Sequence, residues 1–535
     1  MKKHNMNIND ELKDIDRKLA SLIAKRSGII GRLTRIRQQN HKSFSDPELE
    51  KELWGIWKDS LKRSNQSILR RMFTMLNSLA YSMAEKGSSD KPFCLYPTGR
   101  PVSLNLPAPG SVDQTHYTAF LFAICTDKTE LAGFTINDNI IELIKIANEC
   151  GGGLNWNDNL LTSQDDHVLD MDNRNLFINH SLFNFYLFLC LALGAPNRIK
   201  FNSSARLKVV DLKWLQDFLP QLGARLNSIE PGSFSLPARL ETGAVIPAEL
   251  YIPASIHADF VKALLLAAFT YEKPITFNYS AFMDNEFNSL FSVLSQAGVV
   301  LEHHNDRIVI HPSKPKPQNI AIPADPLLSG FLLAMAGLSK GRVELQGVWP
   351  ANCPQADKVL QILKVCGVQV HIHGQSISAQ VGSLDPNYFF DFTSFSEQLP
   401  LALPLALASV RDRQADMLVP PSSPQLEIFA DILDNVGYAH EVDYVKGRLK
   451  IYPRNKNSTK DQPWNSPDPY WTLGYCLLSF KDKGICLANP GIITSIWPGF
   501  WKIFTNLSGV DKSNSKNTGD APNVPKAPVR RKIVD

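Results

Sequence analysis

No run of 18 or more uncharged apolar residues occurs in the 535 residues of this chain, which argues against a membrane-spanning helix. The basic start MKKHNMNINDELKD has no apolar stretch behind it, so no signal peptide is read and a cytoplasmic location is the default expectation. There is no C-x-x-C pair. The eight cysteines (Cys94, Cys125, Cys150, Cys190, Cys353, Cys366, Cys476 and Cys486) are scattered, several inside apolar runs such as FLFAIC and YLFLCLALG, and are read as reduced core residues. Histidine is equally dispersed. His303–His304 falls in a turn and His371 and His373 form an H-x-H in a strand pattern, with no third ligand nearby, so no metal centre is expected. No G-x-G-x-x-G and no P-loop occurs, and no cofactor is expected.

What is present is a globular composition, 44% apolar and 20% charged, in a chain long enough for two or three large cores. The net charge of +4 is unevenly placed. Residues 1–88 carry 18 Lys and Arg against 10 Asp and Glu, so the rest of the chain is net acidic. A basic helical segment can serve nucleic acid or a small polyanion. Several arginines partly face inward on the pattern below and no aromatic-basic interleaving accompanies them, which favours the small polyanion.

Residues 8–39 read as one long helix. Leu12, Ile15, Leu19, Leu22, Ile29, Leu33 and Ile36 follow a 3-4 spacing with no proline between them. Ser45, Pro47 and Glu48 form a capping box for a second helix reaching about Lys62. A third runs from about Ser67 to Glu85, and KGSSDKP is a linker. Beyond it, short β-like runs alternate with apolar helical runs as far as residue 507. A helix, a glycine stop and a strand recur, as in QLGARLNS, QAGVVLEHH, VCGVQVHIH and NVGYAHEV. That is a repeated α/β unit. The Ser/Asn/Pro/Lys-rich tail 508–535 is predicted to be disordered.

The heptad of the first helix places Arg26 on the apolar seam, where a charge is costly unless paired. Arg37 lies three turns on, near the same face, and Asp46 and Glu50 are one turn apart at the start of the next helix. Patterning leaves two readings open. Arg26 is salt-bridged within a coiled coil or snorkels outward, or the arginines hold a dicarboxylate, to which their forked guanidinium groups are suited.

The strings ELKDIDRKLASLIAKRSGIIGRLTRIRQQN and FSDPELEKEL, with a third helix after them, resemble the all-helical class of chorismate mutase across residues 8–86. The resemblance implies an intertwined homodimer of three-helix chains that rearranges chorismate to prephenate by electrostatic positioning, without covalent catalysis. Arg26 takes the place of the family's main-helix arginine. Arg37 stands where the family has its ether-oxygen lysine. Asp46 and Glu50 match its acidic pair, Glu50 on the substrate hydroxyl. The family's first arginine is here Asn9, with Lys13 one turn away.

From residue 92 to about 507 the chain resembles EPSP synthase (5-enolpyruvylshikimate-3-phosphate synthase). The likeness is carried by VSLNLPAPGS, IPASIHADFVKALLLAAF, IPADPLLSGFLLAMAGL and SEQLPLALPLALAS. It implies two lobes of three βαβαββ units each around buried helices, with the site between the lobes. Lobe one is expected at about 112–322, and lobe two at about 92–111 plus 323–507.

The family's two substrates are anionic and are met there by about seven basic side chains. By the resemblance, basic positions are taken here by Val112, Tyr117, Val210, Tyr470 and Ser495. Beside them Asp113 stands for a serine, Leu182 and Phe183 for small residues, and His257 and Asp259 for members of a Ser-Ser-Gln turn, while Asp468 keeps the family's acid. Two more acids persist, Asp325 and, at the position of the catalytic base, Glu397. Removing one charge-assisted hydrogen bond to an anionic substrate costs roughly 1.5–3 kcal/mol, so replacing several cations together forfeits most of the binding energy.

Three functions are therefore carried forward. The first is a chorismate mutase fused to a large domain that no longer runs the EPSP synthase reaction. The second is altered chemistry in the large domain, through Asp325 and Glu397, on a less charged shikimate-like substrate. The third is a non-catalytic protein that binds a chorismate-like ligand or another shikimate-pathway enzyme.

Overall fold

The computed structural model describes residues 8–39, 47–60, 69, 72–73, 76–77 and most of 93–507. Within the last span it omits 98, 126, 158–159, 165–166, 180, 205–206, 231, 280–286, 305, 317–319, 352, 385–387, 411–412 and 455–461. The linker, the tail 508–535 and Asp46 lie outside the described residues, as do the side chains of Arg37 and Glu50.

The first helix is Ile8–Gln39 and the second Pro47–Ser60, the latter opening on the proline of the capping box. Ser27 and Ile30 are buried where the first helix meets Leu69, Phe73 and Asn77, three buried residues four apart on a further helical segment. Trp54 and Trp57 of the second helix lie against Phe73, ring centroids 5.6 and 5.7 Å away. Neither Ser27 nor Ile30 is a seam residue; of the seam, Leu12, Ile15, Leu19, Leu22 and Ile29 stay 50–64% exposed and Leu33 is half-buried.

Residues 93–507 repeat one unit. Strand Asn175–Ile178 runs parallel to Pro196–Ser203, which pairs antiparallel with Ala238–Gly243, which pairs antiparallel with Ala224–Ser228. The same order recurs in three more four-stranded sheets, whose first strands are Glu249–Tyr251, Ser103–Pro107 and Phe389–Asp391. A fifth sheet has three strands. The sixth pairs only Phe93–Cys94 with Cys486–Leu487.

Helices Leu182–Ala192 and Leu399–Val410, which follow the first strands of two of these units, are apolar on nearly every face and almost wholly buried. Gly223, Gly298, Gly367 and Gly437 follow helical or 3-10 segments and have φ between 64° and 88°, a region that favours glycine.

Two hydrophobic cores result, one built from residues between Tyr117 and Ile320, the other from Leu95, Val102 and residues between Ala324 and Leu507. The chain crosses between them twice, and the crossings run side by side. Gly110 and Ala324 form an antiparallel bridge, the Ser111 N–H donates to Pro323 O at 2.8 Å, and the Asp325 N–H donates to Pro109 O at 2.7 Å.

One expectation is corrected. Cys94 and Cys486 are joined by a disulfide, so only six of the eight cysteines are free. They occupy directly opposed positions of an antiparallel pair, Cα atoms 3.9 Å apart. A sequence separation of 392 residues hid this proximity. Of the free cysteines, Cys125, Cys150, Cys190, Cys366 and Cys476 are buried, as their apolar settings suggest, while Cys353 is half-buried.

Candidate functional site between the lobes

The crossings bring the starts of buried helices from the two lobes together. Asp325 caps helix Pro326–Ser339. Its Oδ1 accepts the Leu328 N–H at 2.9 Å, and its Oδ2 accepts the Val112 N–H of helix Val112–Ile124 at 3.3 Å, across the lobes. It is only 9% exposed. Burial pushes its carboxyl up to about 6, the two backbone N–H groups pull the other way, and nearby Asp113 adds to the rise.

Asp468 caps helix Pro469–Leu478, accepting the Tyr470 N–H at 2.8 Å. Tyr470 sits among these acids. Burial first, then the charges of Asp325, Asp113, Asp468 and Glu397, push its hydroxyl well above the ordinary phenol range. Glu397 is exposed just before helix Leu399–Val410, and its Oε2 accepts Gln355 Nε2 at 2.9 Å and Gln398 Nε2 at 3.5 Å. Asp325 and Glu397 are thus brought into one neighbourhood, and neither forms an ion pair with a described Lys or Arg.

The opposite side of the cleft is aromatic, with one buried acid, Glu142, behind it. Tyr117 is buried 6.0 Å from Phe183, centroid to centroid, whereas Phe185 belongs to the core against Phe201. His116 Nε2 meets Asn184 Oδ1 at 2.7 Å, and Asn184 Nδ2 donates to Glu142 Oε1 at 3.3 Å. Burial drives the His116 imidazole down to about 4, so it is neutral at physiological pH, with Nε2–H as the donor to asparagine. Ser111, Ser181 and His257 cap the three central helices here.

Helix N-termini attract anions through unpaired N–H groups and the dipole. Here those groups already meet internal acceptors, and two of the acceptors are carboxyl groups. The lobes also touch where Thr494 Oγ1 donates to Asp138 Oδ2 at 2.7 Å.

In the helical segment, Arg26 is half-buried beside the buried Ser27 and Ile30, whereas its heptad neighbours Leu22 and Ile29 are exposed, so the heptad seam is not the inner face of this helix. Its Nη2 donates to Asn77 Oδ1 at 2.5 Å and its guanidinium sits 5.6 Å from the Phe73 ring centroid. The glutamines around Glu397 and the His116–Asn184–Glu142 chain escaped sequence reasoning. Gln398 could have been noticed beside Glu397; Gln355 had no signal at all. Among the described residues, no three His, Cys, Asp or Glu side chains are grouped to hold a metal, and no helix is long and apolar enough to cross a membrane.

Repeated βαβαββ units in two lobes, with buried helices starting at the junction, define the enolpyruvyl transferase fold. EPSP synthase from Acinetobacter baumannii superposes with a TM-score of 0.62 at 16% identity, over 78% of this chain and 98% of that one. The enolpyruvyl transferase NikO from Streptomyces tendae gives 0.59 at 15% identity, over 78% and 97%. A "3-phosphoshikimate 1-carboxyvinyltransferase 2" from Halalkalibacterium halodurans is 20% identical over 422 residues, 77% of this chain and 94% of its own length. The family model for EPSP synthase (3-phosphoshikimate 1-carboxyvinyltransferase) matches residues 97–459. The chain belongs to the EPSP synthase family.

Proposed function

We propose that the chain rearranges chorismate to prephenate at its N-terminal helical segment, while its EPSP synthase-family domain keeps the frame of enolpyruvyl transfer without the reaction. The observation that carries the first half is Arg26, a half-buried guanidinium held between helical segments against Asn77 and Phe73. In this reading Arg26 grips a substrate carboxylate bidentately. Arg37 stabilises the negative charge developing on the ether oxygen, Glu50 holds the substrate hydroxyl, and Asp46 stands beside it. Such a reaction needs positioning and electrostatics, with no proton transfer and no covalent bond to the protein. The exposed stripe Leu12, Ile15, Leu19, Leu22 and Ile29 is the surface a homodimer of helical segments would cover.

For the large domain, the reading is supported by capping acids, Tyr117 and Phe183 standing where phosphate and carboxylate groups would need cations. The large domain then acts as scaffold or regulator or, as the second reading has it, works on a less charged shikimate-like substrate. The exposed Glu397 with its neutral partners favours the second reading. Chorismate consumption followed by absorbance tests the mutase. Consumption above the uncatalysed rate is expected, falling about a hundredfold in Arg26→Ala, the scale of losing a positioned charge. No consumption by the intact chain would refute it. Phosphate release from phosphoenolpyruvate and shikimate-3-phosphate is expected to be absent; its appearance would refute the second half.

A further inference from the structure

We infer that the lobe-two side of the cleft is a subsite for an organic ammonium group, with Glu397 as counter-ion and the amide oxygens of Gln398 and Gln425 as its neutral acceptors. The inference rests on the proposal that this cleft no longer takes the family's anions. Three observations carry it.

First, Glu397 is exposed at the cleft and its hydrogen-bond partners are uncharged glutamine amides. Second, Gln398 is 3% exposed, its amide lies against the Glu397 carboxylate, and its buried Oε1 accepts nothing. Gln425 donates from Nε2 to Ser396 O at 2.7 Å, next to Glu397, and its buried Oε1 also accepts nothing. Buried acceptors without donors are uncommon and mark a missing partner. Third, Asp113, Asp325 and Asp468 gather with Glu397 around one hydroxyl, that of Tyr470.

A primary ammonium has three N–H donors and one positive charge. Those donors equal in number the one carboxylate and two amide oxygens. A divalent metal would want several anionic or imidazole ligands in one group, and no such group occurs among the described residues.

The test is ligand-observed NMR titration of the full chain with cyclohexylammonium, cyclohexanol and cyclohexanecarboxylate at neutral pH. Saturable binding of cyclohexylammonium alone is expected. Its Kd should rise roughly tenfold or more in Glu397→Gln and severalfold in Gln398→Leu, and should stay unchanged in Glu302→Gln, a lobe-one control. Circular dichroism of each variant keeps loss of fold separate from loss of binding. Equal binding of cyclohexylammonium to wild type and Glu397→Gln would overturn the inference, as would no binding, or binding of calcium ions in its place. The phosphate-release assay, run on the same protein, separates the failures. Release overturns the parent reading of the cleft; no release together with no amine binding overturns the subsite alone.

Discussion

Asp325 ties the two crossings together and titrates abnormally, so it offers a quantitative test of the junction. Its carboxyl stands at about 6 in the folded protein against an ordinary 3.8. At about 1.4 kcal/mol per pH unit, that gap corresponds to roughly 3 kcal/mol. A carboxyl whose folded value is raised contributes its full stability below the unfolded value and loses it as pH rises through the folded one. Wild type should therefore lose roughly 3 kcal/mol from this group between pH 3 and pH 8, superimposed on the titration of the other residues.

Asp325→Asn removes the charge. Asparagine keeps an acceptor for the Leu328 N–H, but its amide NH₂ faces the Val112 N–H and forfeits that bond, a pH-independent cost of about 1 kcal/mol. The variant should be about 1 kcal/mol less stable than wild type at pH 3 and about 2 kcal/mol more stable at pH 8, with the order reversing at roughly pH 4.5. Urea unfolding followed by tryptophan fluorescence, from pH 3.5 to 8, measures this difference. A stability difference that is constant across the range would refute the burial and charge placement assigned to Asp325.

Three further outcomes are expected. His116 has the opposite sign: its folded value of about 4 lies below the ordinary 6.5, so its contribution is full above pH 6.5 and lost as pH falls to 4. His116→Gln should remove about 3 kcal/mol of acid lability in that window, read from urea midpoints; an unchanged acid profile would contradict it. Gly474 faces the Pro400 carbonyl at the crossing of helices Leu399–Val410 and Pro469–Leu478, with no room for a Cβ. Gly474→Ala should cost about 3 kcal/mol or more, with a thermal melt that drops by several degrees; a wild-type melt would mean the helices do not approach so closely. Maleimide labelling of the unfolded, unreduced chain should count six thiols rather than eight, and Cys486→Ser should cost about 2–4 kcal/mol in unfolding stability under non-reducing conditions. Eight labelled thiols would rule the pairing out.

Local patterns were legible in the sequence because local chemistry produces them. The 3-4 spacing from Leu12 to Ile36 and the freedom from proline specify helix Ile8–Gln39. Gly223, Gly298, Gly367 and Gly437 end helical segments with positive φ, and each was visible as a glycine between a helical run and a β-like run. The repeat was legible for the same reason. The uncharged character of Val112, Tyr117 and Phe183 could also be read directly, since charge type is written in the residue.

Tertiary structure decided what depends on distant segments meeting. Cys94 meets Cys486 because a strand from one end of the domain completes a sheet at the other. Glu397 draws Gln355, 42 residues away, and adjoins a glutamine from the next helix, as no local spacing could foretell. Asp325 was recognised as an acid of the cleft, but its double role as cap and interlobe acceptor, and hence its raised titration, follows only from the crossing of the two chain segments. The sequence by itself determined which elements form and which charges the cleft contains. Burial, which sets the energy of each charge, is a property of the whole fold, so only the tertiary structure decided which of those charges are costly and what could satisfy them.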